Sequence, residues 1–191
     1  MRNTFIKTLT KLAETDPSIF ILTADLGFGV FEEFEAKFPD RFINVGVAEQ
    51  NMIGLATGLA LEGFNVFAYS IGNFPVFRCL EQIRNDMCYH NANVTVVAVG
   101  GGFTYGALGF SHHLTEDIAV MSAIPNLTVL VPGDQYEVVE ATRTATQTKG
   151  PCYLRLDKAF ADTSAFTAPT FAVGEARQLR DGKAFTIIAT G

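Results

Sequence analysis

The feature that most constrains this chain is a regular alternation of two hydrophobic periods. Six short apolar runs, IFILTAD, RFINV, FNVFAYS, NVTVVAVG, LTVLVPG and PCYLRLD, are separated by stretches with helical spacing. Ahead of the first run, Phe5, Ile6, Leu9, Leu12 and Ala13 line one helix face, and Asp16-Pro17 stops the helix. Phe31, Phe34 and Phe38 mark a second helix closed by Pro39, and further helices are predicted over 48–61, 78–89, 116–123 and 136–146. Runs this apolar are strands covered on both faces, and helices between them make the strands parallel. The expected fold is therefore an α/β doubly wound, mainly parallel sheet with helices on both faces.

Length and composition narrow what such a sheet does. With 191 residues, 48% of them hydrophobic, the chain suffices for one well-filled core. A net charge of −6 with scattered Lys and Arg offers no footprint for nucleic acid. Cys79, Cys88 and Cys152 are odd in number and widely spaced, which predicts buried thiols in a reducing compartment rather than a disulfide or zinc framework. The N-terminal MRNTFIKTLTKLAE mixes charge with apolar residues and reads as neither signal peptide nor membrane span, so a cytoplasmic location is expected. Residues 1–160 form the expected α/β domain. Residues 161–191 divide into a Thr/Ala/Pro-rich linker, Ala161 to Ala172, and a hairpin arm or first strand of a further domain that ends in FTIIATG.

In doubly wound sheets ligands gather at the carboxyl ends of the strands. The densest signal there is NVGVAEQNMIGLATGLALEG, residues 44–63. Glu49 follows a strand and opens a helix, where its charge complements the helix dipole. Gly54 and Gly58 on that helix allow close approach of a neighbour. Taken alone, the pattern fits a dipole-complementing Glu with two packing glycines as well as a site.

The segment resembles the G-x-A-E-Q motif of the transketolase superfamily. Further matches follow in order: TADLG at 23–27, FRCLEQIRND at 77–86, SHHLTEDIAVMSAIPNLTVLVPGD at 111–134 and GPCYLRL at 150–156. The likeness is to the pyrimidine-binding domain of thiamine diphosphate enzymes. It implies that Glu49 hydrogen-bonds N1′ of the cofactor's aminopyrimidine and shares a proton with it, promoting the imino tautomer that acts as the base at C2. Val47, Ala48 and Met52 are expected to give this carboxyl an apolar setting. By the same resemblance Phe74 packs on the pyrimidine ring, with Phe77 a near competitor, and Asp25 of the A-D-L motif lies near the cofactor. Arg78 is a further cofactor-side candidate, although it suits a helix surface equally well.

On the substrate side the resemblance implies that His112 contacts the carbonyl or hydroxyl of a donor sugar, with His113 in place of a Gln beside it. Two departures bear on substrate. Sugar-specific transketolases carry an acidic residue four positions before the histidine, where this chain has Leu108. Near the end of the last strand a phosphate-binding Arg is usual; here Lys158 aligns with it and Arg155 precedes it, and lysine binds phosphate as a point charge rather than a fork. Gly100-Gly101-Gly102 suits an anion nest or simply close approach. Gly27-Phe28-Gly29 lacks the third glycine of a dinucleotide fingerprint.

The sequence contains no G-D-G motif with a downstream Asn, the pattern this superfamily uses to hold Mg2+ and the diphosphate. The resemblance thus implies a partner subunit carrying the diphosphate and Mg2+ site, thiamine diphosphate shared across the interface, and no metal on this chain. A homodimer through the pyrimidine-type domain is also expected. The leading function is a transketolase active only with that partner, moving a two-carbon ketol unit between sugar phosphates. A 2-oxoacid dehydrogenase β subunit and a 1-deoxyxylulose-phosphate synthase-like enzyme are alternatives within the class, and a non-catalytic assembly module is the alternative outside it.

Overall fold

The computed structural model describes residues 1–158 and 171–191. Six strands, β1 (Ile19–Thr23), β2 (Phe42–Asn44), β3 (Asn65–Ile71), β4 (Val94–Val99), β5 (Thr128–Leu130) and β6 (Cys152–Leu156), form one sheet in the order β2-β1-β3-β4-β6-β5. Every adjacent pair is parallel, as expected from apolar runs joined through helices. The principal helices are α1 (Arg2–Ala13), α2 (Glu32–Lys37), α3 (Glu49–Leu61), α4 (Leu80–Gln82), α5 (Asp117–Ser122) and α6 (Gln135–Gln147).

Side-chain alternation divides the interior into two cores, one on each face of the sheet. Phe20, Leu22, Val66, Ala68, Val94, Val96, Ala98 and Tyr153 point to the face covered by Met52, Ile53 and Ala56 of α3, Ile83, Met87 and Met121. Ile19, Ile21, Phe67, Tyr69, Val97, Val99, Leu154 and Leu156 point to the other, beneath Phe5 and Leu9 of α1, Phe34 of α2 and Val138 and Ala141 of α6. Six predicted strands and their covering helices are therefore present. The helix expected over 78–89 takes a different form: π turns at Phe74–Arg78 and Ile83–Cys88 flank the three-residue α4. Such widened turns are often found beside functional sites, and this one follows the strand end of β3.

Residues 171–191 form neither helix nor strand. The terminal apolar run expected as a strand has no ladder partner among the described residues, and a lone extended segment is not a strand. The linker expected over 161–172 lies, apart from its last two residues, outside the described residues. Among the described residues no helix is long and apolar enough to cross a membrane.

All three cysteines are free and buried. Burial pushes the Cys79 thiol from 9.0 to about 12, and Cys88 and Cys152 to about 11 each; burial likewise pushes the Tyr69 phenol from 10.0 to about 12. These groups stay neutral when folded but ionise at ordinary values when unfolded. Their contribution to stability is thus complete below about pH 9 and is lost as pH rises toward 11–12. Urea midpoints are expected to decline progressively above about pH 9, and a thiol reagent at neutral pH to label the chain only in denaturant. Rapid labelling of the native chain would contradict this.

Candidate functional site

The site assembles at the carboxyl edge of the sheet, from the loops after β2, β3 and β4. At the end of β2, Gly46 takes a φ of +73°, a region open to glycine, and turns the chain into α3. Glu49 is then the first residue of α3, next to unpaired helix N–H groups, and is only 2% exposed. A buried carboxylate at such a place requires a partner.

That partner comes from the π turn after β3. Arg78 Nη1 donates to Glu49 Oε2 at 2.6 Å, and the guanidinium lies 4.8 Å over the Phe74 ring. A π turn closes from i to i+5, so residues four apart stand almost above one another and the cation stacks on the aromatic. The setting of Glu49 therefore differs from the apolar one expected. Met52 is fully buried below it, but Val47 is 75% exposed and Arg78 supplies a charge. Oε1 carries no hydrogen bond among the described residues. Arg78 remains 47% exposed, so the pair opens to solvent on the arginine side.

The loop after β4 brings the histidines. Its base is closed by paired hydrogen bonds between Gly102 and Leu114, and Asn73 Nδ2 donates to the His113 carbonyl at 2.8 Å. His112 meets Phe74 edge to face with centroids 5.3 Å apart, and its Nδ1 is 3.0 Å from Ser111 Oγ. His113 turns away toward Phe103, 4.9 Å between centroids, and its Nε2 is buried without a partner among the described residues. Tyr105 lies 6.4 Å from His112 and carries Lys158 Nζ 4.4 Å over its ring. Burial raises the Tyr105 phenol above its usual value.

Glu49, Arg78, Phe74 and His112 thus form one continuous row of contacts, and Lys158 joins through Tyr105. Other expected residues lie apart from that row. Phe77 shares a surface groove with Gln50, Leu80, Arg84 and Arg78, and so meets the row only at its arginine end. Asp25 is exposed, with a φ of +54°, and its side chain pairs with Asn44, whose Oδ1 also accepts from the Asp25 and Gly46 N–H groups. It ties the ends of β1 and β2 together. Arg155 is largely buried: its Nε donates to Asp117 Oδ2 at 2.8 Å, and its side chain is 13% exposed within that ion pair. Among the described residues nothing lies within 4 Å of where a Cβ on Gly54 or Gly58 would stand, so the close approach expected there has no occupant among them.

Sequence reasoning missed Asn73, Tyr105 and Asp117. Asn73 and Tyr105 act through a backbone carbonyl and a ring edge, neither of which leaves a spacing signal. Asp117 sat inside a quoted motif without being singled out.

A parallel sheet with a buried helix-opening carboxylate, an aromatic wall and an imidazole at its carboxyl edge defines a ligand-binding α/β domain of the doubly wound class. Residues 1–162 match the model of the transketolase pyrimidine-binding domain. The chain belongs to that family. It is 43% identical over 196 residues to a putative transketolase C-terminal section of Methanocaldococcus jannaschii, covering all of this chain and 61% of the relative. It is 34% identical over 191 residues to a 1-deoxy-D-xylulose-5-phosphate synthase of Oleidesulfovibrio alaskensis, covering 98% of this chain and 30% of that one. A solved split-gene transketolase, described as an inactive β4 tetramer, superposes with a TM-score of 0.75 at 33% identity, over 93% of this chain and 55% of the other. The chain therefore spans about three fifths of the first relative and under a third of the synthase.

Proposed function

We propose that this chain is the pyrimidine-binding component of a split transketolase, moving a two-carbon ketol unit between sugar phosphates together with a partner subunit. The observation that carries the reading is Glu49: a carboxylate at a helix start, 2% exposed, linked through Arg78 to the Phe74 ring and through that ring to His112. The family is thiamine diphosphate-dependent, and the residues fit the cofactor's aminopyrimidine, with a carboxyl to meet a ring nitrogen and a flat apolar partner for its face. When bound, thiamine diphosphate supplies the nucleophilic carbon that attacks the ketose carbonyl. Glu49 holds and returns a proton at N1′. Arg78 keeps the carboxylate oriented from the solvent side, and Phe74 fixes the ring plane. His112 presents an imidazole to the oxygen of the donor carbonyl or hydroxyl, with His113 behind it, and Lys158 faces the acceptor's phosphate as a point charge.

The diphosphate and Mg2+ belong, on this reading, to the partner subunit. Two observations support it. The sequence has no G-D-G pattern, and the described residues contain no group of acidic, His or Cys side chains able to hold a metal ion. Among the described residues the flank of α3 leaves open space over Gly54 and Gly58 and Leu61 60% exposed, which supports a homodimer through this domain. Asp25 stands at the rim of the same edge, where a cofactor crossing to the partner would pass. We read 161–191 as a linker and lead-in to a further domain, and the location as cytoplasmic.

A second reading within the class, a 1-deoxyxylulose-phosphate synthase-like activity, is favoured by Leu108, 56% exposed where an acidic sugar contact is usual. Copurification with a chain carrying the G-D-G pattern, then assay with ketose and aldose phosphates and separately with a 2-oxoacid, distinguishes them. Ketol transfer is the expected result. Turnover of the oxoacid alone would reject the transketolase reading. Calorimetry on the isolated chain with Mg2+ is expected to show no tight thiamine diphosphate binding, and tight binding would contradict the shared site.

A further inference from the structure

The histidine loop rests on a charged pedestal that the proposed chemistry does not use. Asp117, at the start of α5, is fully buried; its Oδ2 accepts from Tyr153 Oη at 2.6 Å and from Arg155 Nε at 2.8 Å. Its Oδ1 is buried without a partner among the described residues. Held by that bond, the Arg155 guanidinium lies flat beneath Gly101. A Cβ built on Gly101 would fall 2.1 Å from Arg155 Cζ and 2.4 Å from both terminal nitrogens, so the glycine is required by this contact and not by its backbone angles. Gly102, the next residue, is paired with Leu114, which immediately follows His113. Leu114 is itself wedged against Gly72, where an added Cβ would lie 2.2 Å from Leu114 Cδ2.

The loop 103–113 therefore stands on one small base, Gly101-Gly102 and Leu114, seated on a guanidinium that a single buried carboxylate holds. A flat cation clamped in the plane beneath a glycine sets the height of everything above it, since close-packed contacts transmit displacement rather than absorb it. We propose that Asp117 and Arg155 are positioning residues that set the histidine loop, and with it the placement of His112 against Phe74. The consequence for catalysis rests on the reading of His112 as a substrate contact; the placement itself does not.

The test is a ring Cε1–Hε1 NMR spectrum of the full chain, which contains three histidines, His90, His112 and His113. His90 is exposed in the turn before β4, at the opposite end of that strand from Gly100, and serves as the internal control. In Asp117→Asn the His112 and His113 signals are expected to move by more than a line width, with the His90 signal in place. If Asp117→Asn does not fold, Gly101→Ala perturbs the same contact from the loop side and is expected to give the same pattern. Unmoved His112 and His113 signals in a folded variant would overturn the proposal. Equal movement of all three would overturn it too, because that marks general loosening. Neither readout depends on activity, so failure of the transketolase reading leaves the test intact.

Discussion

Replacing Glu49 by glutamine is expected to lower turnover of the reconstituted complex by about 10²–10⁴-fold, the usual range for losing a positioned proton-transfer group. Glutamine has the shape of the carboxyl and keeps an oxygen for Arg78, but it cannot hold and return a proton at N1′. The fold should survive, because Arg78, the charge left behind, is 47% exposed and reaches water. A thermal melt of the variant close to that of the parent, with activity lost, separates chemistry from stability. Arg78→Met is the companion variant. It leaves Glu49 buried and unpaired, so it should disturb both the melt and turnover. Unchanged activity in Glu49→Gln would support the non-catalytic module instead.

Much of the architecture was legible because the four inner strands, buried on both faces, must be apolar throughout, and such runs joined through helices leave few alternatives to a parallel sheet. FNVFAYS is the plainest case: Val66 and Ala68 serve one core and Phe67 and Tyr69 the other. The segment 74–88 was less legible, because Pro75 and the broken apolar spacing disguise π turns as an ordinary helix that starts late. In the site, residues that act by position along the chain were readable. Glu49 follows a strand and opens a helix, and His112 follows a glycine-rich turn. Residues that act by their partners were not. Nothing in the spacing of Glu49 and Arg78, 29 apart, announces an ion pair. Arg155 likewise sits in the strand PCYLRL with no sign that Asp117, 38 residues earlier, has taken it. Charge identity is written in the sequence, but charge availability is settled only by what packs against it.

Arg155 is where that distinction carries the largest effect on stability. If the arginine is bound into the interior, Arg155→Met leaves Asp117, 1% exposed, with only the Tyr153 hydroxyl as side-chain donor among the described residues, and unfolding free energy should fall by about 3–5 kcal/mol. Lys158→Met, at an exposed site over the Tyr105 ring, should stay within about 0.5 kcal/mol. Removing both charges together, Asp117→Leu with Arg155→Met, is expected to recover part of the loss, because no buried charge is then uncompensated. Recovery is incomplete because Tyr153 Oη loses its acceptor, a residual cost of about 1–3 kcal/mol. Urea unfolding of the four chains closes the cycle. Should Arg155→Met prove as mild as Lys158→Met, the guanidinium is free in solution, and Arg155 regains its place as a phosphate contact beside Lys158.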